Sequence, residues 1–377
     1  MSEFTSFNPS LPRRVIAVIA LAATLASAGL MKGGAAQASG REPRAAVCVP
    51  DAGVLPLDQP QAVAVDSAGN VYIDNFNGSE IDKLTPSGEL SVFAGTGEAG
   101  SPTPGPATAS ELDYPIGLAA DGLGNVYIDD AGNDVIEKVN PDGDLSIFAG
   151  ILNHPGTPTA GIATSSELQS PIGLAADKIG DVYIADQGIE FGANNVIEKV
   201  NPAGELSIFA GETAASGMAT PGPAVNSKLG YPQAVAVNKK GDVYIADTLN
   251  SAIEEVTPAG RLSIIAGDGF SSPPTPGPAK KSKLAGPDGV AVDNKGNVYV
   301  ADSGNNMVER ISPKGKLFIV AGTGQRGEPT RGQAVRSKLS LPVDVAVDSA
   351  GNVYIADTGN NDIVKVTPTY HLSVICR

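Results

Sequence analysis

The chain has no tryptophan, two histidines and two cysteines among its 377 residues. Two histidines cannot supply a zinc centre built on several of them. No Gly-x-Ser-x-Gly stretch is present, so the nucleophile elbow of the α/β-hydrolases is missing. GTGEAG (Gly95–Gly100) and GTGQRG (Gly322–Gly327) match Gly-x-Gly-x-x-Gly. Both run into proline-rich sequence with no helix pattern behind it, and the dinucleotide context fails. Bases are scarce as well: 26 Lys and Arg stand against 41 Asp and Glu, a net charge of −15. That balance argues against nucleic acid and anionic membrane surfaces as partners.

Long apolar runs are nearly absent. The one example, VIAVIALAATLASAGL (Val15–Leu30), follows Arg13 and Arg14 and precedes the small residues AAQA ending at Ala38. It is short for a membrane span and reads as an export signal over residues 1–38. The expected location is periplasmic, cell-surface or extracellular, with no membrane insertion once the signal is cleaved. Losing Glu3, Arg13, Arg14 and Lys32 leaves 40 acidic and 23 basic residues, a net charge of −17. Cys48 and Cys376 flank everything that follows, and in an oxidising compartment they read as a disulfide, with two unpaired thiols as the other reading.

What the chain has in abundance is one phrase. GNVYIDN begins at Gly69, GNVYIDD at Gly124, GDVYIAD at Gly180 and Gly241, GNVYVAD at Gly296 and GNVYIAD at Gly351. The tyrosines Tyr72, Tyr127, Tyr183, Tyr244, Tyr299 and Tyr354 recur at a nearly constant interval, with one longer gap between Tyr183 and Tyr244. Catalysis needs one constellation, so a phrase repeated six times is a building unit. In the fifth unit PDGVAVDNKG, NVYVAD, MVERIS and KLFIVAG are four short runs separated by Gly, Pro, Asn and Asp, the pattern of four antiparallel strands. SPKG, like TPSG, NPDG, NPAG and TPAG elsewhere, has the Pro and Gly positions of a type I turn. The first two runs carry little polarity and suit strands covered on both faces. The third alternates Val308 and Arg310 against Glu309, as a strand nearer solvent would. Six such units predict an all-β, six-bladed β-propeller with four antiparallel strands per blade over about residues 46–377. Residues 39–59 are the N-terminal closing segment and 60–377 the propeller. Asp302 and Asp357, with the Gly-Asn-Asn after each, read as strand ends and capping turns and not as an active site.

The pattern P-x-G-V-A-V-D-x-x-G-N-V-Y-V-A-D-x-x-N-N resembles the NHL repeat over Pro60–Arg377. It departs where NHL repeats usually carry N-[HR]-I, reading NNMV, NNDI or NDVI, without histidine. Tails such as AGTGQRGEPTRGQAVRSKL resemble the inter-blade loops of exported bacterial NHL proteins. The resemblance implies either a non-catalytic binding module for a protein, peptide or glycan, or a metal-dependent enzyme at the channel. Lactonase relatives hold a metal with Glu, Asn and Asp; lyase relatives use His-bound zinc, and those histidines are missing here.

In such a blade the connections after the second and fourth strands emerge on one face, the top. The long stretches 96–114, 151–170, 212–231, 268–286 and 323–341 are therefore placed there, and long loops on one face mark a binding face. His154 falls on that face and His371 in a bottom turn, which argues against a Ser-His-Asp triad. Glu98, Glu111 and Asp113 lie in the first stretch; Lys280, Lys281 and Lys283, and Arg326, Arg331, Arg336 and Lys338, in the last two, set against Asp268 and Glu328. Ordinary solvated loop charge is the bland alternative to a docking surface. QGIEFGANN (Gln187–Asn195) is an insertion that adds Glu190 and Phe191 as contact candidates. No cofactor motif is present; Asp74, Asn75, Asp129 and Asp130, which break the Ala-Asp rule, are the candidates for Ca2+. A monomer is expected. Closing the ring brings the chain ends to one seam, with Cys48 near Cys376 and Ala46–Val49 along the last strand.

Overall fold

Every GNVY phrase forms the second strand of a small sheet. A computed structural model describes residues 49–50, 56–187 and 194–377. The export-signal segment, Cys48, Glu190 and Phe191 lie outside them. In the fifth blade Pro287–Val292, Val298–Asp302, Met307–Ile311 and Lys316–Ala321 pair antiparallel in sequence order. The turn between the first two strands is made by Asp293, whose Oδ1 accepts the amides of Lys295 and Asn297, both at 2.8 Å. Its Oδ2 accepts Asn297 Nδ2 at 2.7 Å. Gly296 sits there at φ +79°, a conformation that other residues adopt only with strain. The D-x-x-G-N-x-Y phrase is thus a turn tied by its own side chains.

Six such sheets arise, each with the same strand order. Their first strands touch one another in a closed ring that includes Val63–Val65 against Pro342–Val347. The fold is the predicted six-bladed β-propeller, with the tyrosine strands second from the channel. Each blade also has a short fifth strand. Gly277–Pro278 pairs antiparallel with Leu317 and Lys316 at the outer edge of the fifth blade, and its counterparts do the same elsewhere.

That outer strand corrects the path of the long stretches. They leave the top, descend along the outer edge of the next blade, turn at its bottom, and climb back buried between blades. Ala279 donates to Gly315 O of the bottom turn at 2.9 Å, whereas Ser271 already bridges Leu284 near the top. Only the two ends of each stretch therefore lie on the top face.

The core is a set of layers between neighbouring blades. Ala236, Tyr244 and Ile253 of the fourth blade meet Val290, Val298 and Val300 of the fifth. Both faces of each sheet are covered, which is why the first two strands read as nearly continuous apolar runs. The third strand is nearer solvent than the second, with Met307 and Arg310 partly exposed, yet Glu309 between them is fully buried.

The N-terminal segment also differs from expectation. Val49–Pro50 pairs parallel with Glu89 and Leu90 and completes the first blade, not the last strand. The blade that it would have joined already has Gly332–Gln333 at that edge. At the seam Leu57, Val63, Val71 and Ile73 pack against Ala346, Tyr354, Ile363 and the fully buried Cys376. No helix among the described residues is long and apolar enough to cross a membrane.

Candidate binding face

The top face is shaped by the end of each second strand. Asp302 Oδ1 accepts the Ala285 amide at 2.8 Å and Oδ2 accepts Asn305 Nδ2 at 2.7 Å. The same Asn305 amide reaches Ser272 O at 3.0 Å. Asn306 follows in the left-handed conformation, and its Oδ1 accepts the Leu341 amide of the sixth blade at 2.9 Å. One Asp and two Asn side chains thus fasten the incoming segment, the rim loop and the next blade. The phrase is a strand end and its capping turn, as read from the sequence, and it also staples neighbouring blades. The lengthened third-blade turn keeps these bonds: Asn194 reaches Asp186 and Gly156, and Asn195 accepts Tyr231 N.

Beneath these turns lies a feature that the sequence reading missed. Glu137, Glu198, Glu254 and Glu309 share one position of the third strand, with Asp82 in the first blade and Val364 in the sixth; all are fully buried. Each glutamate stands beside the aspartate that ends its second strand. Burial pushes these four carboxyls well above the ordinary range, and the neighbouring aspartate adds to the effect. Burial raises Asp130, Asp247 and Asp302 only to about 7, because amide donors favour their charged form. Two adjacent desolvated carboxylates cannot both ionise. At neutral pH such a pair therefore keeps a proton between its two carboxyls, and N–H groups hold the aspartate. Alternation within the third strand was the only trace of this in the sequence, and it pointed to solvent.

The structure separates the basic candidates. Lys280 and Lys281 lie in a short turn whose first residue bonds the bottom turn at Gly315. Arg336 lies in the equivalent turn at Tyr370, and Arg331 precedes Gly332–Gln333, which pairs with the start of the last strand. These four lie along the outer edge, in turns bonded both to a bottom turn and, through Ala279 O and Ala334 O, to Gly267 and Gly322 at the ends of the preceding outer strands. Lys283, Arg326 and Lys338 are on the upper rim. Lys283 Nζ stands 6.0 Å from the Phe270 ring centroid, and Arg326 Nε donates to Ser340 Oγ at 2.7 Å.

The oxygen-rich candidates are largely committed to the fold. Asp74 Oδ1 accepts the Gln61 and Ala62 amides, both at 2.6 Å. Asn75 Oδ1 accepts Asp58 N at 3.0 Å, and Asp130 accepts Asp113 N and Asn133 Nδ2. Asp129 is buried with no hydrogen bond to either carboxyl oxygen; desolvation and then Asp130 raise its pKa well above the usual range. Among the described residues no three His, Cys, Asp or Glu side chains form a group that could hold a metal.

The upper rim has a regular charged position. In each long stretch a buried leucine bridges the rim loop: Leu112, Leu168, Leu229, Leu284 and Leu339. The residue before it is Glu111, Glu167, Lys228, Lys283 and Lys338 in turn. These five positions are equivalent by rotation, so one half of the rim carries glutamates and the other half lysines.

A propeller whose blades are stapled by such Asp-Asn turns defines a class, the NHL-type β-propeller. The chain belongs to the NHL-repeat family: the teneurin NHL domain model matches residues 49–257, and the NHL repeat model matches 284–309 and 339–366. Mouse teneurin-3 is 28% identical over 343 residues, covering 79% of this chain and 12% of teneurin-3. Human teneurin-4 is 28% identical over 267 residues, covering 60% and 9%. The chain thus spans only about a tenth of the length of these curated relatives. A Xanthomonas campestris gluconolactonase has TM-score 0.54 at 15% identity, covering 85% of this chain and 87% of its own. A chain of a nidogen/laminin complex has TM-score 0.52 at 16% identity, covering 80% and 91%. At such identities these structures show the shared fold.

Proposed function

We propose that the chain is an exported, non-catalytic module that binds a protein, peptide or glycan on the top face of its propeller. The observation that carries this reading is the charge reversal around the upper rim. At this one recurring position the charge changes sign, from Glu111 and Glu167 to Lys228, Lys283 and Lys338, while the leucine bridge beside it is kept. A surface divided into an acidic and a basic half orients a complementary partner and speeds its approach. A neighbour of the same fold is part of a nidogen/laminin complex, and the sequence relatives are teneurins, which favours a protein as the partner.

Export rests on the segment 1–38 and on the two cysteines. Cys376 is buried in the last strand at the seam, and Cys48 directly precedes the residue that edges the first blade. A disulfide between them suits an oxidising compartment. Counting thiols on the exported protein under denaturing, non-reducing conditions tests this, and two free thiols would remove it.

The test of the binding face is a selection of short random display peptides against the full exported chain, followed by cross-link mapping. The binders are expected to map to the top. Lys283→Glu with Lys338→Glu should weaken them about tenfold, while Lys314→Glu in a bottom turn leaves them unchanged. The opposite pattern would place binding on the bottom and end this reading.

A further inference from the structure

The six blades serve as internal controls for one another, and one blade breaks the pattern at three places. Leu249, Met218 and Phe270 are 48%, 61% and 68% exposed. Each occupies a position defined by a bond that recurs around the ring. Leu249 donates its amide to the segment entering its blade, as Asn77, Gly132, Gly304 and Gly359 do in theirs. Met218 follows closely on Ser216, which bridges the leucine, and the other stretches have Ser101, Thr157, Pro273 and Glu328 at that place. Phe270 comes immediately before the bridging Ser271, where the others have Glu98, His154, Ala215 and Gln325. No sibling among the described residues places a large apolar side chain at any of the three. The fold does not require them there.

These residues come from three separate stretches and meet on the top of the fourth blade. Asn250 Nδ2 donates to Gly217 O at 2.7 Å and ties the Leu249 turn to Met218. The Met218 methyl lies against Gly269, 2.8 Å from where a Cβ would stand, and Phe270 is the next residue. Lysines flank this pair. Lys228 passes over Gly217, and Lys283 Nζ lies 6.0 Å from the Phe270 ring. Lys338 continues the basic side toward the sixth blade. Two acids share this rim, Glu212 and Asp268, and Asp268 Oδ1 accepts the Phe270 amide at 3.1 Å.

We infer that the top of the fourth blade, built from Leu249, Met218 and Phe270 between Lys228 and Lys283, is a docking site for an acidic protein segment bearing one apolar side chain. This rests on the top-face reading above and narrows it to one blade and one partner chemistry. Exposed apolar side chains clustered on a soluble surface mark contact sites, and a central apolar anchor supplies most of the affinity. Met218 adapts to varied shapes, while the flanking lysines select acidic neighbours of the anchor.

The test exchanges residues between blades. Met218→Ser, Phe270→Gln and Leu249→Gly install what sibling blades carry, and Lys228→Glu with Lys283→Glu installs what precedes the second and third blades. Urea midpoints check that each variant folds like the parent. The probes are fluorescent synthetic peptides with one Phe between acidic residues, the same peptides with Ala for Phe, and the same with Lys for the acids. Anisotropy should show binding of the acidic Phe peptide alone. The triple exchange should weaken it at least about tenfold, and the lysine exchange similarly, with the effect fading at high salt.

Equal binding by the Ala or Lys peptides, unchanged affinity in the triple exchange, or no binding at all would overturn the inference. Self-association lost in the triple exchange would make a second copy the occupant and overturn it too. Peptides that footprint at Arg326 and Lys338 but not at the patch would end this inference and leave the top-face reading standing. Footprints on the bottom turns would end both.

Discussion

Five joints of the ring join blades consecutive in the chain, and one, between the sixth blade and the first, joins its two ends. The noncovalent bonds are nearly the same at both kinds of joint. Thr358 Oγ1 donates to Pro60 O across the seam at 2.6 Å, as Thr248 does to Pro287 O and Ser303 to Pro342 O at in-line joints. Asn361 accepts Gln59 N as Asn306 accepts Leu341 N. The innermost strands differ. At three of the five in-line joints Gly117, Gly173 and Gly289 lie so close to the next strand that a Cβ would stand 2.3 to 2.7 Å from its backbone, and at the other two the position is Ala62 or Ala234. At the seam the same position is Asp344, whose Oδ2 accepts the Val63 amide at 2.9 Å. A small residue, glycine or alanine, occupies this position where the chain itself holds two blades together. Where it does not, a directed bond takes its place.

The largest test of that difference is covalent. A Cys48–Cys376 disulfide would close a loop spanning nearly the whole propeller, and for so long a loop the chain-entropy model assigns about 4–5 kcal/mol. Urea unfolding with and without reductant should show a loss approaching that figure. Equal midpoints would mean that the noncovalent seam closes the ring by itself.

The next effect isolates Asp344. Burial raises its pKa to about 7 although the Val63 and Val345 amides favour its charged form. Asp344→Ala leaves the Val63 amide without its acceptor and should cost about 2 kcal/mol. Hydrogen exchange should then accelerate first in the first and sixth blades. Uniform acceleration around the ring would show that the seam is no weaker than the other joints.

A smaller effect concerns the buried acid pairs, which the sixth blade lacks. Glu309 holds its proton in the folded chain well above its unfolded value, and Asp302 does so up to about 7. Such groups favour folding fully only below the unfolded carboxyl value. That contribution is lost as pH rises from about 4 through about 7 and above. The chain should therefore be more stable near pH 5 than near pH 8. Glu309→Val, which copies Val364, should flatten that slope and raise stability near pH 8 by about 1–2 kcal/mol. A slope that the substitution does not change would refute the shared-proton reading.

The finest comparison sets one hydroxyl against another. Thr358→Val at the seam and Ser303→Ala at an in-line joint each remove one buried hydrogen bond, worth about 1 kcal/mol in urea midpoints. The seam substitution should also raise the unfolding rate more, because that joint can part without stretching the chain.

Much of this was legible in the residues. The regular recurrence of the tyrosine phrase revealed the number of blades, because each repeat must bury its faces against like neighbours. Asp293, Gly296 and Asn297 revealed their turn, since all its bonds are local. The Asp-Asn turn at Asp302 was readable as a strand end, but not as a staple to Leu341, which belongs to the next repeat.

Other features depended on what the chain packs against. The alternation around Glu309 was real, yet local sequence cannot tell which side of a strand a neighbouring blade will cover, so the burial of this acid was not read. The long stretches read as loops because the partner of Gly277–Pro278 comes only after three further strands. The basic residues were treated as one surface for the same reason, and the descent of each stretch then separated Lys280 and Arg336 from Lys338. Residues 218, 249 and 270 form a patch only because the ring sets the rim loops on either side of the fourth blade next to each other. Periodicity and local turn chemistry fixed the blades. The joints, buried charges and surfaces were decided by contacts between residues that the chain keeps far apart.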